Sequence, residues 1–180
     1  MIFITGGVRS GKSAFAEQTA AQFGVEKRYT YIATGVAFDE EMTHRIARHQ
    51  QDRQTQILSW QTIEMQCEFP NTLNMLTEQD VVLFECVTTW LSNVLFHAES
   101  IQEPQCFITE QIKAFQKQLR FLIEQGVKII IVSNEVLDEP ASAYEEVNLY
   151  RKTLGELHQW LVKHSTEAYE VQFQLVQRWK

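Results

Sequence analysis

Cysteine is scarce in this chain and odd in number. Cys67, Cys86 and Cys106 are the three thiols among 180 residues, and no C-x-x-C spacing joins them. That argues against a disulfide scaffold and a zinc site, and reduced thiols in a cytoplasmic protein are the expectation. Basic charge is also short: 16 Lys and Arg stand against 23 Asp and Glu, a net charge of -7. A general nucleic-acid or anionic-membrane surface needs a basic patch, so neither partner is expected. A nucleotide asks for less, since a local loop and one or two cations suffice. No stretch approaches the ~20 apolar residues of a membrane span, and no basic segment with an apolar run behind it marks a leader. Repeats, low-complexity tracts and linkers are missing too, and the length suits one core better than two. Residues 1–180 therefore read as a single domain.

What is present is an alternation of strands and helices. Met1 to Thr5 reads as a short buried strand, and Ser13 to Phe23 as a helix stopped by Gly24. "YTYIA" (Tyr29 to Ala33) is a second strand. "DEEMTHRIARHQQ" opens a helix at Asp39, with acidic residues where the helix dipole favours them. "WQTIEM" is extended, a strand end or a connecting segment. "VVLFEC" and "VKIIIVSN" are continuous apolar runs, the pattern of strands buried on both faces. Pro104 starts a long helix whose stripe is Ile108, Ile112, Phe115, Leu119 and Leu122, closed by Gly126. A further helix spans roughly Ala143 to His164. The final "EAYEVQFQLV" alternates through Tyr169, Val171, Phe173 and Leu175 and reads as one half-exposed edge strand. The whole predicts an α/β three-layer sandwich around a mostly parallel sheet with that edge strand at the C-terminus.

The most informative stretch is "ITGGVRSGKSAF". Gly6 and Gly11-Lys12-Ser13 form G-x-x-x-x-G-K-S, the loop that cradles phosphates with backbone N–H groups at a helix N-terminus. The loop residues Gly6, Gly7, Val8, Arg9, Ser10, Gly11, Lys12 and Ser13 are the candidate nucleotide site. Lys12 would reach the β and γ phosphates of GTP or ATP, and the Ser13 hydroxyl would sit on Mg²⁺. The alternative, a chance glycine-rich turn, is disfavoured because the motif follows one predicted strand and opens one predicted helix. Its partner should be a carboxylate at the end of another buried strand, holding the metal's water shell. Glu85 in "VVLFEC" fits, since a buried unpaired Glu costs several kcal/mol and needs a reason to be there; the alternative is an exposed Glu just beyond the strand end.

Two histidines share one predicted helix. At about 100° per residue, Met42, Ile46 and His49 fall within about 60° of one another, and His44 points the opposite way. His49 thus faces the protein body. A lone His on an apolar face serves equally as a core residue or as a nucleophile that attacks phosphorus, and spacing leaves both open. Arg45 and Arg53 flank the same side and would neutralise phosphate charge.

Taken together, "ITGGVRSGKSAFAE", "YIATG", "DEEMTHRIARH", "WQTIE", "VLFECVTTWLSNVLF" and "IIIVSNEV" resemble the family of adenosylcobinamide kinase/adenosylcobinamide-phosphate guanylyltransferase. These segments run in family order over most of the chain. The resemblance implies that a nucleoside triphosphate, ATP or GTP, phosphorylates the aminopropanol hydroxyl of adenosylcobinamide. GMP then passes from GTP to a histidine and on to the cobinamide phosphate. The family's nucleophile lies in an R-I-x-x-H helix, which here makes it His49. The resemblance also implies nucleotide contacts from Ala33, Thr34 and Gly35, from Gln50, Gln51, Asp52 and Arg53, and from Glu64 and Glu85. It further implies a homo-oligomer acting on a corrinoid and a nucleotide. A relative that keeps one of the two activities, or a GTP-binding regulator without turnover, are the competing readings. Three segments depart from the pattern of the family that the chain resembles: Arg53 is followed by Gln54 rather than Pro, with Trp60 arriving later, "LDEPAS" stands where glycines are expected after Asn134-Glu135-Val136, and "FQLVQRWK" replaces a glycine-containing C-terminal end.

Overall fold

The computed structural model describes residues 1–35, 58–137 and 142–180. Its strands are β1 (Ile2–Gly6), β2 (Arg28–Ala33), β3 (Trp60–Glu64), β4 (Asp80–Glu85), β5 (Lys128–Asn134), β6 (Glu167–Gln172) and β7 (Leu175–Arg178). The described helices are α1 (Lys12–Ala21), α2 (Val87–Ala98), α3 (Pro104–Glu124) and α4 (Glu145–His164), with a 3-10 turn at Asn71–Met75. All the described strands join one seven-stranded sheet in the order β3-β2-β4-β5-β1-β6-β7. Every pairing is parallel except β6 with β7. The α/β sandwich expected from the sequence is therefore present.

The apolar strands explain the layers. β4 and β5 carry side chains that are buried on both faces, as parallel strands under helices must. On one face Ile2, Ile4, Leu83, Ile130 and Val132 pack under α1 through Ala16 and Ala20. Those small residues bring α1, and the loop before it, close to the sheet. On the other face Phe3, Phe84, Ile129 and Ile131 meet α2, α3 and α4 through Trp90, Phe115 and Leu157. Trp90 and Phe115 stack with ring centroids 4.5 Å apart. The predicted stripe of α3 is buried at Ile108, Phe115, Leu119 and Leu122, with Ile112 half-buried.

Three expectations need correction. "WQTIE" is a complete strand, β3, at the sheet's edge. α2 was not anticipated, although Val87, Trp90, Leu91 and Val94 follow the helical period and are all buried. The C-terminal segment is two strands rather than one. β6 pairs with β1 on one side and β7 on the other, so β6 lies inside the sheet and β7 is the expected edge strand at the C-terminus. Phe173 and Gln174 form the turn between them at φ +50° and +65°. Apolar alternation runs straight across this turn, and no Gly, Asn, Asp or Pro marks it, so periodicity alone reads one strand.

At the strand ends opposite the loop, Arg28 makes bonds of 2.8 and 2.6 Å to the two oxygens of Asp80, joining β2 to β4. Burial lifts the Asp80 carboxyl, but hydrogen bonds from Arg28 and Thr77 outweigh it and hold the group below the ordinary carboxylate range. Within the core, His158 of α4 lies 2.7 Å from the Ser133 hydroxyl and packs against Phe3. Desolvation lowers its pKa from 6.5 to about 4.

A depressed histidine pKa means that the unfolded chain takes up a proton before the folded one does. The stabilisation is complete above pH 6.5 and fades as pH falls from there to about 4. We expect the loss at the acid end to be on the order of 3 kcal/mol. Denaturant unfolding between pH 4 and 7 should show a shallower pH dependence in His158→Gln than in the wild type. Parallel profiles would contradict the assignment.

Candidate active site

All the parallel strands end on the same edge of the sheet, where α/β folds place their ligands. Gly6 ends β1 in register with Asn134 of β5 and Val171 of β6. Its φ is +155°, and a Cβ there would stand 2.2 Å from the Val171 carbonyl oxygen and 2.9 Å from Ser10 Oγ. No side chain fits. The loop then closes on itself, with Ser10 N–H donating to the Gly7 carbonyl at 3.2 Å and Gln174 N–H donating to the Ser10 carbonyl at 2.8 Å. Gly11 enters α1 at φ +96°, and no side chain caps the first turn of that helix. Its orphan N–H groups are left for an anion. Among the described residues nothing lies within 4 Å of where a Cβ on Gly7 would stand. The Ser10 hydroxyl is buried without a hydrogen-bond partner among the described residues. An orphaned donor in a loop with open space suits a phosphate.

Lys12 is buried, and its ammonium donates to the Gly7 carbonyl across the loop at 3.1 Å. The next residue makes the decisive contact. Ser13 hydroxyl donates to one oxygen of Glu85, and the Tyr31 hydroxyl donates to the other at 3.0 Å. Glu85 ends β4, with β5 between it and β1. Tyr31 is buried in β2, its ring edge-on to Trp60 of β3 at 6.0 Å. The carboxylate is thus aimed from both sides. A hydroxyl and a carboxylate beside a phosphate loop are hard oxygen donors, the set that suits Mg²⁺ shared with ligand phosphates. Among the described residues no cluster of three His, Cys, Asp or Glu would hold a metal by itself.

Glu64, Ala33 and Glu85 lie in one register row across β3, β2 and β4, with Glu64 exposed. Thr34 follows Ala33 and is fully buried. Its hydroxyl lies 3.1 and 3.0 Å from the Glu85 and Cys86 carbonyls and accepts from Cys86 N–H at 2.8 Å. α2 holds this edge from below: Asn93 donates to the carbonyls of Thr34 (2.8 Å) and Gln66 (3.2 Å), and Trp90 donates to that of Cys67 at 2.8 Å. Ala33, Thr34, Gly35, Glu64 and Glu85 are therefore on the same edge as the loop. His49, with Gln50, Gln51, Asp52 and Arg53, lies outside the described residues, as do His44 and the helix expected around them.

A family model described as cobinamide kinase / cobinamide phosphate guanyltransferase matches residues 2–175. The chain belongs to that family. The bifunctional adenosylcobalamin biosynthesis protein CobU of Escherichia coli is 31% identical over 177 residues, covering 95% of this chain and 94% of that protein. CobP of Pseudomonas aeruginosa, a bifunctional adenosylcobalamin biosynthesis protein, is 36% identical over 157 residues, covering 87% and 83%. Among solved structures, a KaiC-like protein from Pyrococcus horikoshii matches with a TM-score of 0.46 at 12% identity, covering 99% of this chain and 78% of that one. The described helices include none long and apolar enough to cross a membrane.

The sequence reading of this cobinamide kinase family member missed Tyr31 and Asn93. Both sit inside segments already recognised, "YTYIA" and "VLFECVTTWLSNVLF". Tyr31 is two residues before Ala33 and so shares its strand face, but only the β2–β4 register shows that this face meets Glu85.

The steric limit at Gly6 is directly testable. Gly6→Ala should lower stability by about 2 kcal/mol or more and abolish nucleotide binding, because the Val171 carbonyl cannot yield without displacing β6. Thermal melting and equilibrium titration check it. Unaltered values for both would contradict this loop geometry.

Proposed function

We propose that this chain phosphorylates adenosylcobinamide with a nucleoside triphosphate and then transfers GMP from GTP, through a covalent intermediate on His49, to give adenosylcobinamide-GDP. The observation that carries the reading is the Ser13–Glu85 contact beside Lys12, in a chain whose family is one of cobinamide kinases and guanyltransferases. The loop N–H groups and the Lys12 ammonium bind and orient the triphosphate, and Lys12 leaves the Gly7 carbonyl for a phosphate oxygen. Mg²⁺, when bound, supplies neutralising charge to the phosphate oxygens. Ser13 and Glu85 would hold it, the serine directly and the carboxylate through water. The tight packing of loop, β6 and α1 fixes those donors before the substrate arrives, which is the condition for electrostatic stabilisation of a phosphoryl-transfer transition state.

In the second stage a neutral His49 nitrogen attacks the α-phosphorus of GTP, the bond to the β-phosphate oxygen breaks, and pyrophosphate leaves. An oxygen of the cobinamide phosphate then attacks the same phosphorus, the P–N bond breaks, and the imidazole is released neutral. Ala33 to Gly35, Gln50 to Arg53 and Glu64 are the proposed further nucleotide contacts. The single sheet that takes in every described strand supports one domain across residues 1–180. A homo-oligomer in the cytoplasm, as the family resemblance implies, completes the proposal.

With GTP and Mg²⁺, α-labelled GMP should attach to the wild type and to His44→Ala, and not to His49→Ala. The adduct should be acid-labile, and its formation should fade below pH ~6.5, where an unperturbed imidazole protonates. Lys12→Ala should lose both this label and transfer of γ-label to cobinamide. A wild type that passes on the γ-label yet never takes the α-label would leave a kinase alone. One that binds GTP and transfers neither label would be a nucleotide-binding regulator.

A further inference from the structure

The tip of the β6–β7 hairpin touches the phosphate loop. The turn residues Phe173 and Gln174 both hold left-handed φ values, +50° and +65°. A two-residue turn with both central residues at positive φ favours Asn-Gly or Gly-Gly, and side-chain-bearing residues adopt it under strain. The turn is fastened where it matters: Gln174 N–H donates to the Ser10 carbonyl at 2.8 Å. A Cβ on Gly11 would stand 3.3 Å from Gln174 Cγ, so the glutamine side chain lies over the last glycine of the loop. Gln174 is exposed, and its hydrogen bond to the rest of the described residues is made by the backbone, not by the carboxamide. A glycine would keep the backbone bond to Ser10 and remove the strain. The side chain is what the strain preserves.

The sheet order says what that side chain would meet. Glu85 lies on the β5–β4 flank of β1, and its contact with Ser13 marks the side where the terminal phosphates and a metal gather. The hairpin occupies the opposite flank. A triphosphate with its γ end toward Glu85 therefore leaves the loop over Gly11 and the turn, nucleoside last. We infer that the Gln174 carboxamide binds the nucleoside of the phosphoryl donor. It offers two donors and one acceptor oxygen, which suits ribose hydroxyls or the edge of a base. The inference rests on the phosphate-loop reading above and extends it to the nucleoside end of the ligand.

Equilibrium titration of the full chain with AMP-PNP, GMP-PNP and inorganic tripolyphosphate, together with thermal melting, tests it in Gln174→Gly and Gln174→Asn. The glycine variant should melt at or above the wild type and bind tripolyphosphate equally well. It should bind whichever analogue the wild type prefers about fivefold to tenfold more weakly, the loss of one hydrogen-bonding group. Asn, which tolerates positive φ and keeps a shorter amide, should fall between. Unchanged analogue affinity in the glycine variant overturns the inference. Equal loss for tripolyphosphate overturns it too, because the residue would then shape the loop rather than touch the nucleoside. If the glycine variant fails to fold, the Asn variant decides by the same comparison, with unchanged analogue affinity counting against. A wild type that binds none of the three ligands removes the phosphate-loop reading itself, and this inference with it.

Discussion

The contact between Ser13 and Glu85 is the constraint around which the rest of the site is arranged. The two residues are 72 positions apart and belong to different strand–helix units. They meet because parallel strands end on one edge and because α1, faced with alanines, sits close enough to bring Ser13 over β4. Glu85 is half-buried at the end of an apolar strand, where an unpaired carboxylate would be costly. Two hydroxyls meet that demand, Ser13 on one oxygen and Tyr31 on the other. Trp90 and Asn93 of α2 then hold the neighbouring loops at the same edge. A bare phosphate loop binds an anion; joined to an aimed carboxylate, it can also share a metal with that anion.

How far this was legible depended on how local each cause is. The loop was readable because its demands fall on consecutive residues: glycines where a Cβ collides, a lysine, and a serine at a helix start. Glu85 was readable because a carboxylate closing an apolar run is unusual enough to need a partner. Tyr31 was not, since its role follows from the register of β2 against β4. α2 escaped notice although its period is present, because one residue separates it from β4 and its first turn is the β-branched run Val87-Thr88-Thr89, which reads as a continuing strand. The C-terminal hairpin was misread for a sharper reason. Its turn is made by Phe and Gln in a conformation that neither residue type advertises.

Two of the three expected departures from the family pattern, "LDEPAS" and "FQLVQRWK", have described residues at them, the second supplying the turn and β7 of that hairpin. The ends of "LDEPAS" are tied to α4: Arg151 donates to the Leu137 carbonyl at 2.8 Å, and Asn148 bonds both the N–H (3.0 Å) and the carbonyl (2.8 Å) of Ser142. Side chains there do what backbone permissiveness does elsewhere, anchoring the path of the chain from outside. At the hairpin the compensation is different, since the turn stays strained and is fastened to the loop through Ser10.

The central claim is that Ser13 and Glu85 act as one unit in holding the nucleotide with its metal. A double-mutant cycle with Ser13→Ala and Glu85→Gln, read as GTP-analogue affinity in the presence of Mg²⁺, measures this most directly. The account predicts strong non-additivity: either single change weakens binding, and the double variant binds little worse than the weaker single variant. Additive losses would contradict it, because the two groups would then be acting independently.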